Sequence, residues 1–428
     1  MIGILLNMGR HTVSRAIDTI GHAQQDWSAI YRLFERDRVD LEYIQQVIRR
    51  HIQATNAPSE PVIAFIDDTL LKKRGQKVHG TSWKLDPLGP KFTNNFIWAQ
   101  RYMQISLAQK QTEGHCRGIP ILFQHCPVPR KPKKTAAPEL WNEYRVLQKK
   151  MALPQKASEA ILKLQKDLKG QKIIIVGDGG YTNKSVCRSM TENGIYLGRL
   201  RKNANLFAPP SEQNTGKGRK KYYGEALPSP EEMRQQNENW TEVVAHTGNG
   251  EHTFKIMSVP DVRSKITGNR NIKVLIIQPL RYRLSSKTKL LYREAAYLLC
   301  TDPELSPEHI LQYYLWRWEI ELNFKDEKSI FGIHQSQMRT QKSVDCFPGV
   351  VAAAYSLFLL TASCQQPQYP KWRTEKTIWR VSTNKLLADF RIDCLKNNKS
   401  GFPSYQTRNA NPLLFHDLWE NVIQAAMN

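Results

Sequence analysis

Residues 62–69 read VIAFIDDT, five apolar residues followed by two aspartates and a threonine. Residues 173–180 read IIIVGDGG, a second apolar run that also ends at an aspartate. Continuous apolar runs of this length, bounded by turn residues, are typical of strands that are buried on both faces of a sheet. Helix-like patterns alternate with these strand-like runs, and such alternation favours an α/β fold with a parallel portion in its sheet.

The remaining sequence divides by pattern into regions on either side of these strands. Apolar residues at helical spacing predict a helical N-terminal region, in which a DNA-reading helix and plain helix packing are both compatible with the sequence. A polar and then β-rich segment separates the α/β series from a strong helix that begins at Ser306. We therefore expect a mixed sheet flanked by helices, interrupted by a β-rich insertion, with helical regions at both ends. The predicted regions are 1–58 (N-terminal helical), 59–206 (first part of the core), 207–295 (insertion), 296–345 (second part of the core) and 346–428 (C-terminal helical).

The charge of the chain indicates a polyanionic partner. Lys and Arg number 62 against 39 Asp and Glu, which gives a net charge of +23. Neutralising phosphates releases the counterions condensed on a nucleic acid, so a strongly basic surface binds it well. A charge that serves only solubility fits less well in a protein of this size.

Further patterns bear on location. The longest apolar stretch, residues 349–363, is shorter than the roughly 20 residues that span a bilayer, so we expect a buried helix there. The N-terminus shows no export signal.

The seven scattered cysteines contain no CxxC pair, which favours free thiols in a reducing compartment. The HC pairs at residues 115–116 and 125–126 match no zinc motif, and strand-edge positions explain them better. We expect a cytoplasmic, DNA-associated protein.

Asp67 and Asp178 are the first candidate functional residues. Each follows a strand predicted to be buried, and the carboxyl ends of parallel strands are where active sites collect in open α/β sheets. Taken singly, each aspartate is better explained as part of a turn, or for Asp67 as a helix cap. Taken together, two carboxylates at one sheet edge repel each other and are costly to desolvate unless a cation lies between them. No complete phosphate-binding loop motif accompanies them.

The helix predicted from Ser306 to Ile330 carries four polar residues on one stripe. At 100° per residue, this stripe is about 60° wide. Apolar residues flank it on both sides, including Trp318 in one of the two walls, so the stripe is a polar seam between apolar walls. Such a seam favours a functional site over a solvated face. The stripe consists of Tyr314, Arg317, Glu321 and Lys328, and the side expected to be solvated consists of Glu319, Asn323, Asp326 and Glu327.

The order of these motifs resembles the DDE transposases of the insertion-sequence-four type. Asp-Asp-Thr ends one strand, Asp-Gly-Gly-Tyr ends a later strand, and Y-x2-R-x3-E-x6-K follows on a helix. The resemblance covers about residues 60–345. It implies a ribonuclease-H-like core, with the β-rich insertion between the second aspartate and the glutamate.

The resemblance also implies roles for individual residues. Asp67, Asp178 and Glu321 would be the catalytic residues and would bind two Mg²⁺ ions, with Mn²⁺ able to substitute. Asp68 competes for the first position; Asp67 is preferred because the family pattern has Thr or Ser two residues after the aspartate. The residues expected to contact DNA are Tyr314, Arg317 and Lys328 of the seam, together with Lys72, Lys73, Arg199 and Arg201, for which ordinary solvated charge is an equal alternative.

The activity implied is metal-dependent cleavage at transposon ends, followed by transfer of the 3′-OH to target DNA. The implied partners are double-stranded transposon ends and target DNA, held by a homodimer in a synaptic complex. Two alternatives stay open: an inactive, transposase-derived DNA-binding protein, and a related nuclease that never joins strands. A glycoside hydrolase that uses two carboxylates would leave the positive charge unexplained.

Overall fold

A computed structural model describes most of the chain. The described residues are 1–22, 24, 26–55, 57, 60–90, 92–111, 114–210, 221–236, 238–248, 250–283, 288–363 and 381–396. The C-terminal region predicted to be helical lies partly outside the described residues.

The first part of the core is a mixed sheet of six strands with helices. Its elements are β1 (Val62–Lys72), β2 (Ser82–Leu85), β3 (Phe96–Lys110), β4 (Cys116–His125), α5 (Pro138–Lys150), α6 (Leu153–Asp167), β5 (Ile173–Gly177), α7 (Lys184–Cys187) and β6 (Gly194–Arg199). The strands lie in the order β4, β3, β1, β5, β6. β1, β3 and β4 are antiparallel neighbours, whereas β5 and β6 run parallel to β1. The short strand β2 pairs with the opening residues of β3. The predicted mixed α/β sheet flanked by helices is confirmed, and it is consistent with a ribonuclease-H-like fold.

Four helices precede this sheet: α1 (Ile2–Leu6), α2 (Val13–Thr19), α3 (Trp27–Glu35) and α4 (Leu41–Thr55). The N-caps of α2 and α3 follow the usual chemistry. Thr12 accepts a hydrogen bond from the Arg15 amide, and Asp26 accepts one from Ser28.

The β-rich segment after β6 continues the same sheet. Its elements are β7 (Leu206–Phe207), β8 (Ala226–Leu227), α8 (Pro230–Gln236), β9 (Thr241–Thr247), β10 (Gly250–Arg263), β11 (Asn271–Ile277), β12 (Leu280–Tyr282), β13 (Leu291–Arg293) and β14 (Ala296–Cys300). β14 pairs antiparallel with β6 and with β11, and the sheet reaches twelve strands. Backbone hydrogen bonds therefore join the segment to the edge of the core, and β12 and β13 form a separate two-stranded sheet.

The later helices are α9 (Pro307–Trp316), α10 (Trp318–Ser329), α11 (Gln341–Ser363) and α12 (Thr383–Lys396). The prediction of a single helix from Ser306 to Ile330 is wrong in one respect, because the helix breaks at Arg317 into α9 and α10. The Arg317 amide bonds to the carbonyl of Tyr314, and the Ile320 amide bonds to that of Arg317, which is the tighter three-residue spacing of a 3₁₀ turn.

The apolar stretch predicted to be a buried helix belongs to α11. Residues Gln341–Ala362 are long and apolar enough to cross a membrane, but 89% of their most apolar part is buried inside the protein. The prediction of a core helix is confirmed. The six cysteines in the described part of the chain are buried and form no disulfide bond.

Candidate active site

Asp67 and Asp178 lie at the same edge of the sheet. β1 and β5 are parallel neighbours, and their register pairs Ile66 with Gly177. The next residue in each case is an aspartate. Asp178 follows the end of β5, as expected, but the expectation that Asp67 ends its strand is wrong, because β1 continues to Lys72 through its pairing with β3. The carboxyl end of the β1–β5 pairing is the position at which active sites form in sheets of this kind.

Arg317 connects Asp67, in the middle of β1, with α10. Its Nη1 donates to Asp67 Oδ2 at 3.0 Å, and its Nη2 donates to Glu321 Oε1 at 2.8 Å. The guanidinium also lies over the Tyr314 ring, 5.9 Å from its centroid. The arginine is mostly buried, so these contacts form away from bulk water. Arg317 thus contacts the first aspartate and, at the same time, two other residues of the predicted seam, Tyr314 and Glu321.

Asp178 and Asp68 have different partners. Asp178 Oδ1 accepts hydrogen bonds from the Gly180 and Tyr181 amides at 2.8 and 3.3 Å, so this aspartate also caps its own turn. Asp68 accepts from the Tyr181 hydroxyl at 3.2 Å and forms an ion pair with Arg101 at 3.2 Å. Successive residues of a strand point to opposite faces. Hence Asp67, and not Asp68, shares an arginine with Glu321.

The electrostatics show that negative charge at this edge is costly. Burial raises the pKa of Asp67 to about 7 against the opposing charge of Arg317, and repulsion from Asp178 and Asp68 adds to the increase. Burial also raises the pKa of Asp68, although Arg101 opposes it. Burial disfavours the charge of Arg317, but Tyr314, Asp67 and Glu321 together raise its pKa.

The carboxylates do not form a closed metal cage. Within the described residues, no group of three or more His, Cys, Asp or Glu side chains is arranged to hold a metal ion. The donor chemistry nevertheless fits a hard divalent cation, because Asp67, Asp178 and Glu321 offer only carboxylate oxygens. The repulsion between Asp67 and Asp178 is relieved by positive charge, which Arg317 now supplies to Asp67.

The predicted DNA-contacting residues fall into separate groups. Burial raises the pKa of Tyr314, and Arg199, exposed at the end of β6, is close enough to oppose that increase together with Arg317. Arg201 is exposed two residues further on. At the other end of α10, Lys328 is half-buried and interacts electrostatically with Lys72, whose Nζ is 3.1 Å from Asp86 Oδ2.

Lys73 has a different environment from Lys72. Its Nζ donates to the carbonyls of His334 and Ser336, each at 3.0 Å. Burial lowers its pKa to about 8. Lys73 therefore ties the end of β1 to the loop that follows α10, and two of its three protons are used for this purpose.

The side of α10 that was expected to be solvated is buried, and that expectation is wrong. Glu319, Asn323 and Glu327 are 7%, 0% and 0% exposed, whereas Trp318, expected in an apolar wall, is 58% exposed. Asp326 is half-buried, and its carboxylate accepts a hydrogen bond from the Tyr355 hydroxyl at 2.9 Å.

These buried groups are satisfied by the sheet. Asn323 accepts from Ser106 Oγ at 2.9 Å and donates to the Gly118 carbonyl at 2.9 Å. Glu319 accepts from the Gly118 amide at 3.1 Å. Angular positions on a helix show which residues share a face, but not which face meets a sheet that has polar partners of its own.

Arg101 and Tyr181 are two site residues that the sequence interpretation missed. Both hold Asp68. The signal for Arg101 was a charged residue inside the strand-like run FIWAQRYMQISL at residues 96–107. Such a residue in a buried strand requires a partner.

One protein-family comparison decides the relationship. A family model described as "DDE superfamily endonuclease" matches residues 1–261, which is more than half of the chain. The chain belongs to this family. The matched region includes Asp67 and Asp178 and ends before α9 and α10. Nucleases of the DDE superfamily generally use divalent metal ions.

Other comparisons add little to the family match. Among solved structures, a cryo-EM structure of the piggyBac transposase synaptic complex with hairpin DNA is similar to this DDE superfamily endonuclease, with a TM-score of 0.30 and 10% identity. The likeness covers 85% of this chain and 57% of the transposase chain, so this chain spans little more than half of that protein. No curated protein matches the chain.

Proposed function

We propose that this DDE superfamily endonuclease is a DNA transposase of the insertion-sequence-four type, which cuts DNA at transposon ends and joins the freed 3′-OH to target DNA. The observation that carries the proposal is the double ion pair of Arg317 with Asp67 and Glu321. It links Glu321 of the Y-R-E-K pattern to Asp67 through one guanidinium, although 250 residues separate Asp67 from Arg317.

Asp67, Asp178 and Glu321 are the proposed metal ligands. Two Mg²⁺ ions, when bound, would supply positive charge beside the scissile phosphate and lower the pKa of water, and Mn²⁺ is expected to substitute. The protein's own part is to present carboxylate oxygens from two rigid strands and one helix. With cations held by Asp67 and Glu321, Arg317 would no longer be needed to neutralise these carboxylates and would be free to bind a phosphate in a bidentate manner.

The remaining seam residues and nearby cations are proposed to position the DNA. Tyr314 and Arg317 lie beside the carboxylates, so they would contact the phosphates nearest the cut. Lys328, at the far end of α10, and the nearby Lys72 of β1 would contact DNA phosphates further from the cut. Arg199, Arg201 and the remaining proton of Lys73 are proposed as additional backbone contacts. Since both transposon ends must be held during joining, we propose a homodimeric, DNA-associated cytoplasmic enzyme.

The experiment uses a plasmid that carries the inverted repeats flanking the coding region. With Mg²⁺, the wild-type protein is expected to cut at the repeat ends and to give joined products with a target plasmid. The Asp178→Ala variant should bind the same DNA without cutting it. Wild-type binding without cutting in Mg²⁺ or Mn²⁺ would contradict the proposal and support a transposase-derived DNA-binding protein.

A nuclease without strand transfer is the second candidate, because the matching family is described as an endonuclease. Supplying pre-cut ends with a free 3′-OH separates the two functions. A transposase joins these ends to target DNA without a prior cut. Cleavage of intact ends without any joining of pre-cut ends would favour the second candidate.

A further inference from the structure

Asp178 lies just beyond the strand that leads to it. The parallel pairing of β1 with β5 ends at Ile66 and Gly177, one residue before each of the two aspartates. Asp67 is still held inside β1, because β1 continues to pair with β3, whereas Asp178 precedes a turn. The distance between the two carboxylates therefore depends on what holds this turn.

The turn is folded around Asp178 itself. Asp178 Oδ1 accepts hydrogen bonds from the Gly180 and Tyr181 amides at 2.8 and 3.3 Å. Its carbonyl accepts from the Thr182 hydroxyl at 3.2 Å and from the Tyr196 hydroxyl of β6 at 3.4 Å. Residues 178–182 thus form one hydrogen-bonded unit, and a contact that fixes any part of it also fixes the Asp178 carboxylate.

Tyr181 joins this turn to β1. Its hydroxyl donates to Asp68 Oδ1 at 3.2 Å, and the residue is only 2% exposed. The side chain passes close to the end of β5, where a Cβ added to Gly177 would lie 3.0 Å from Tyr181 Cβ. The glycine therefore leaves the space in which the tyrosine reaches across to the neighbouring strand.

Asp68 is held in turn by Arg101 of β3. Arg101 Nε is 3.2 Å from Asp68 Oδ2, so the two oxygens of this carboxylate have different partners. Alternation along β1 and β3 puts Asp68 and Arg101 on the side of the sheet away from Asp67. A continuous chain of contacts therefore runs from β3 through Asp68 and Tyr181 to the turn that carries Asp178.

Such contacts behind a metal-binding carboxylate have large effects. Removing a hydrogen-bond partner that orients a ligand typically costs about 10–100-fold in metal affinity or activity. The contacts of Asp68 lead to Asp178 rather than to Glu321, which favours orientation of a ligand over direct binding of a metal ion.

We propose that Asp68 and Tyr181 are positioning residues, which hold Asp178 at the distance from Asp67 that a shared divalent cation requires. This inference rests on the proposed function, and it gives Asp68 a part in metal binding without making it a ligand. Loss of the Tyr181 hydroxyl should weaken the binding of Mn²⁺ by about ten-fold or more.

The test measures Mn²⁺ binding to the full chain without DNA, by the electron paramagnetic resonance signal of the free ion. Tyr181→Phe keeps the ring, removes the donor and should bind Mn²⁺ about ten-fold more weakly than wild type. Tyr102→Phe is the matched control, because Tyr102 is 0% exposed and its hydroxyl donates to the Val344 carbonyl at 2.9 Å. Both variants lose one buried hydrogen bond, but Tyr102→Phe should keep the wild-type Mn²⁺ affinity even if its melting temperature falls.

A double-mutant cycle tests whether Tyr181 acts through Asp68. Asp68→Ala should weaken Mn²⁺ binding about as much as Tyr181→Phe, and the double variant should bind no more weakly than Asp68→Ala alone. Asp68→Asn keeps an oxygen that can accept from the tyrosine hydroxyl, so it should retain most of the affinity. If Asp68→Asn abolishes Mn²⁺ binding, Asp68 is itself a ligand and the inference fails.

The outcomes separate the inference from the proposed function. Wild-type Mn²⁺ affinity in Tyr181→Phe overturns the inference, as does an equal loss in Tyr102→Phe. It is also overturned if the effects of Tyr181→Phe and Asp68→Ala multiply, or if the wild-type protein binds no Mn²⁺. Cutting and joining of transposon ends by wild type would leave the proposed function standing in each of these cases. Mn²⁺ binding that depends on the Tyr181 hydroxyl, in a wild type that neither cuts nor joins DNA, supports the inference and contradicts the proposed function.

Discussion

Asp67 and Asp68 are adjacent in the chain but have opposite surroundings. Asp67 faces Arg317, which in turn holds Glu321, whereas Asp68 faces Arg101 and Tyr181. Alternation along β1 is the reason, because it turns neighbouring side chains to opposite sides of the sheet. The proposed chemistry requires the aspartate that can share a cation with Glu321.

Paired substitutions distinguish the two aspartates. Asp67→Asn is expected to reduce the rate of Mg²⁺-dependent cutting by about 100-fold or more, since a metal ligand contributes several kcal/mol of charge stabilisation. Asp68→Asn removes one ion pair with Arg101 and should retain much more activity. The cutting rate at saturating DNA is the measurement. If Asp68→Asn is the more damaging change, Asp68 is the first ligand.

At the scale of elements, α10 is held on both of its sides. One side carries the seam, and the other is tied to β3 and β4 by hydrogen bonds of Asn323 and Glu319. Glu327 on this second side is fully buried, and burial raises its pKa well above the usual value although Lys328 opposes the shift. With the Gln104 amide nitrogen turned toward it, Glu327 accepts a hydrogen bond at 2.9 Å.

The buried Glu327 predicts a stability that depends on pH. Above pH ~4.5 the unfolded chain loses this proton while the folded protein keeps it, so the contribution of Glu327 to stability falls as pH rises toward the folded pKa. Glu327→Gln cannot ionise, and its melting temperature should rise relative to wild type as pH increases from about 6 to 8.

Glu308→Gln, at an exposed position of α9, is the control and should show no such trend. A constant difference in melting temperature between Glu327→Gln and wild type at all pH values would show that Glu327 is ionised in the folded protein.

Lys72 and Lys73 provide a second comparison at the scale of elements. Lys73 bonds two carbonyls of the loop after α10, so Lys73→Met should lower stability by about 1–3 kcal/mol. Lys72 is exposed and lies beside Lys328, so Lys72→Met should leave stability nearly unchanged but weaken DNA binding. It should also reduce the slope of log K against log salt by about one. Melting temperature and DNA binding at several salt concentrations measure the two effects. If Lys72→Met lowers stability and Lys73→Met weakens DNA binding instead, then Lys72 is the structural residue and Lys73 contacts DNA.

At the scale of the whole molecule, the net charge of +23 predicts strongly salt-dependent DNA binding. If six or more phosphates are contacted, affinity should fall by about 10³-fold or more between roughly 50 and 200 mM salt. Binding of one labelled duplex across this range is the measurement. A nearly flat salt dependence would mean that the positive charge does not face DNA.

The sequence alone determined the features that depend on local patterns. The apolar runs before Asp67 and Asp178 specify buried strands, and the capping residue Ser306 marks the start of α9. The length and composition of residues 349–363 indicated a core helix. These features could be predicted because alternation, capping and apolar run length involve residues close together in the chain.

Only the tertiary structure decided which distant groups meet. It places Arg317 between Asp67 and Glu321, buries Glu327 on a side of α10 that its charge suggested was solvated, and uses Lys73 to hold a loop. It also joins β14 to β6, so that the β-rich segment extends the core sheet. Each outcome depends on the partner that a polar group finds across the fold. Periodicity along one element carries no information about that partner.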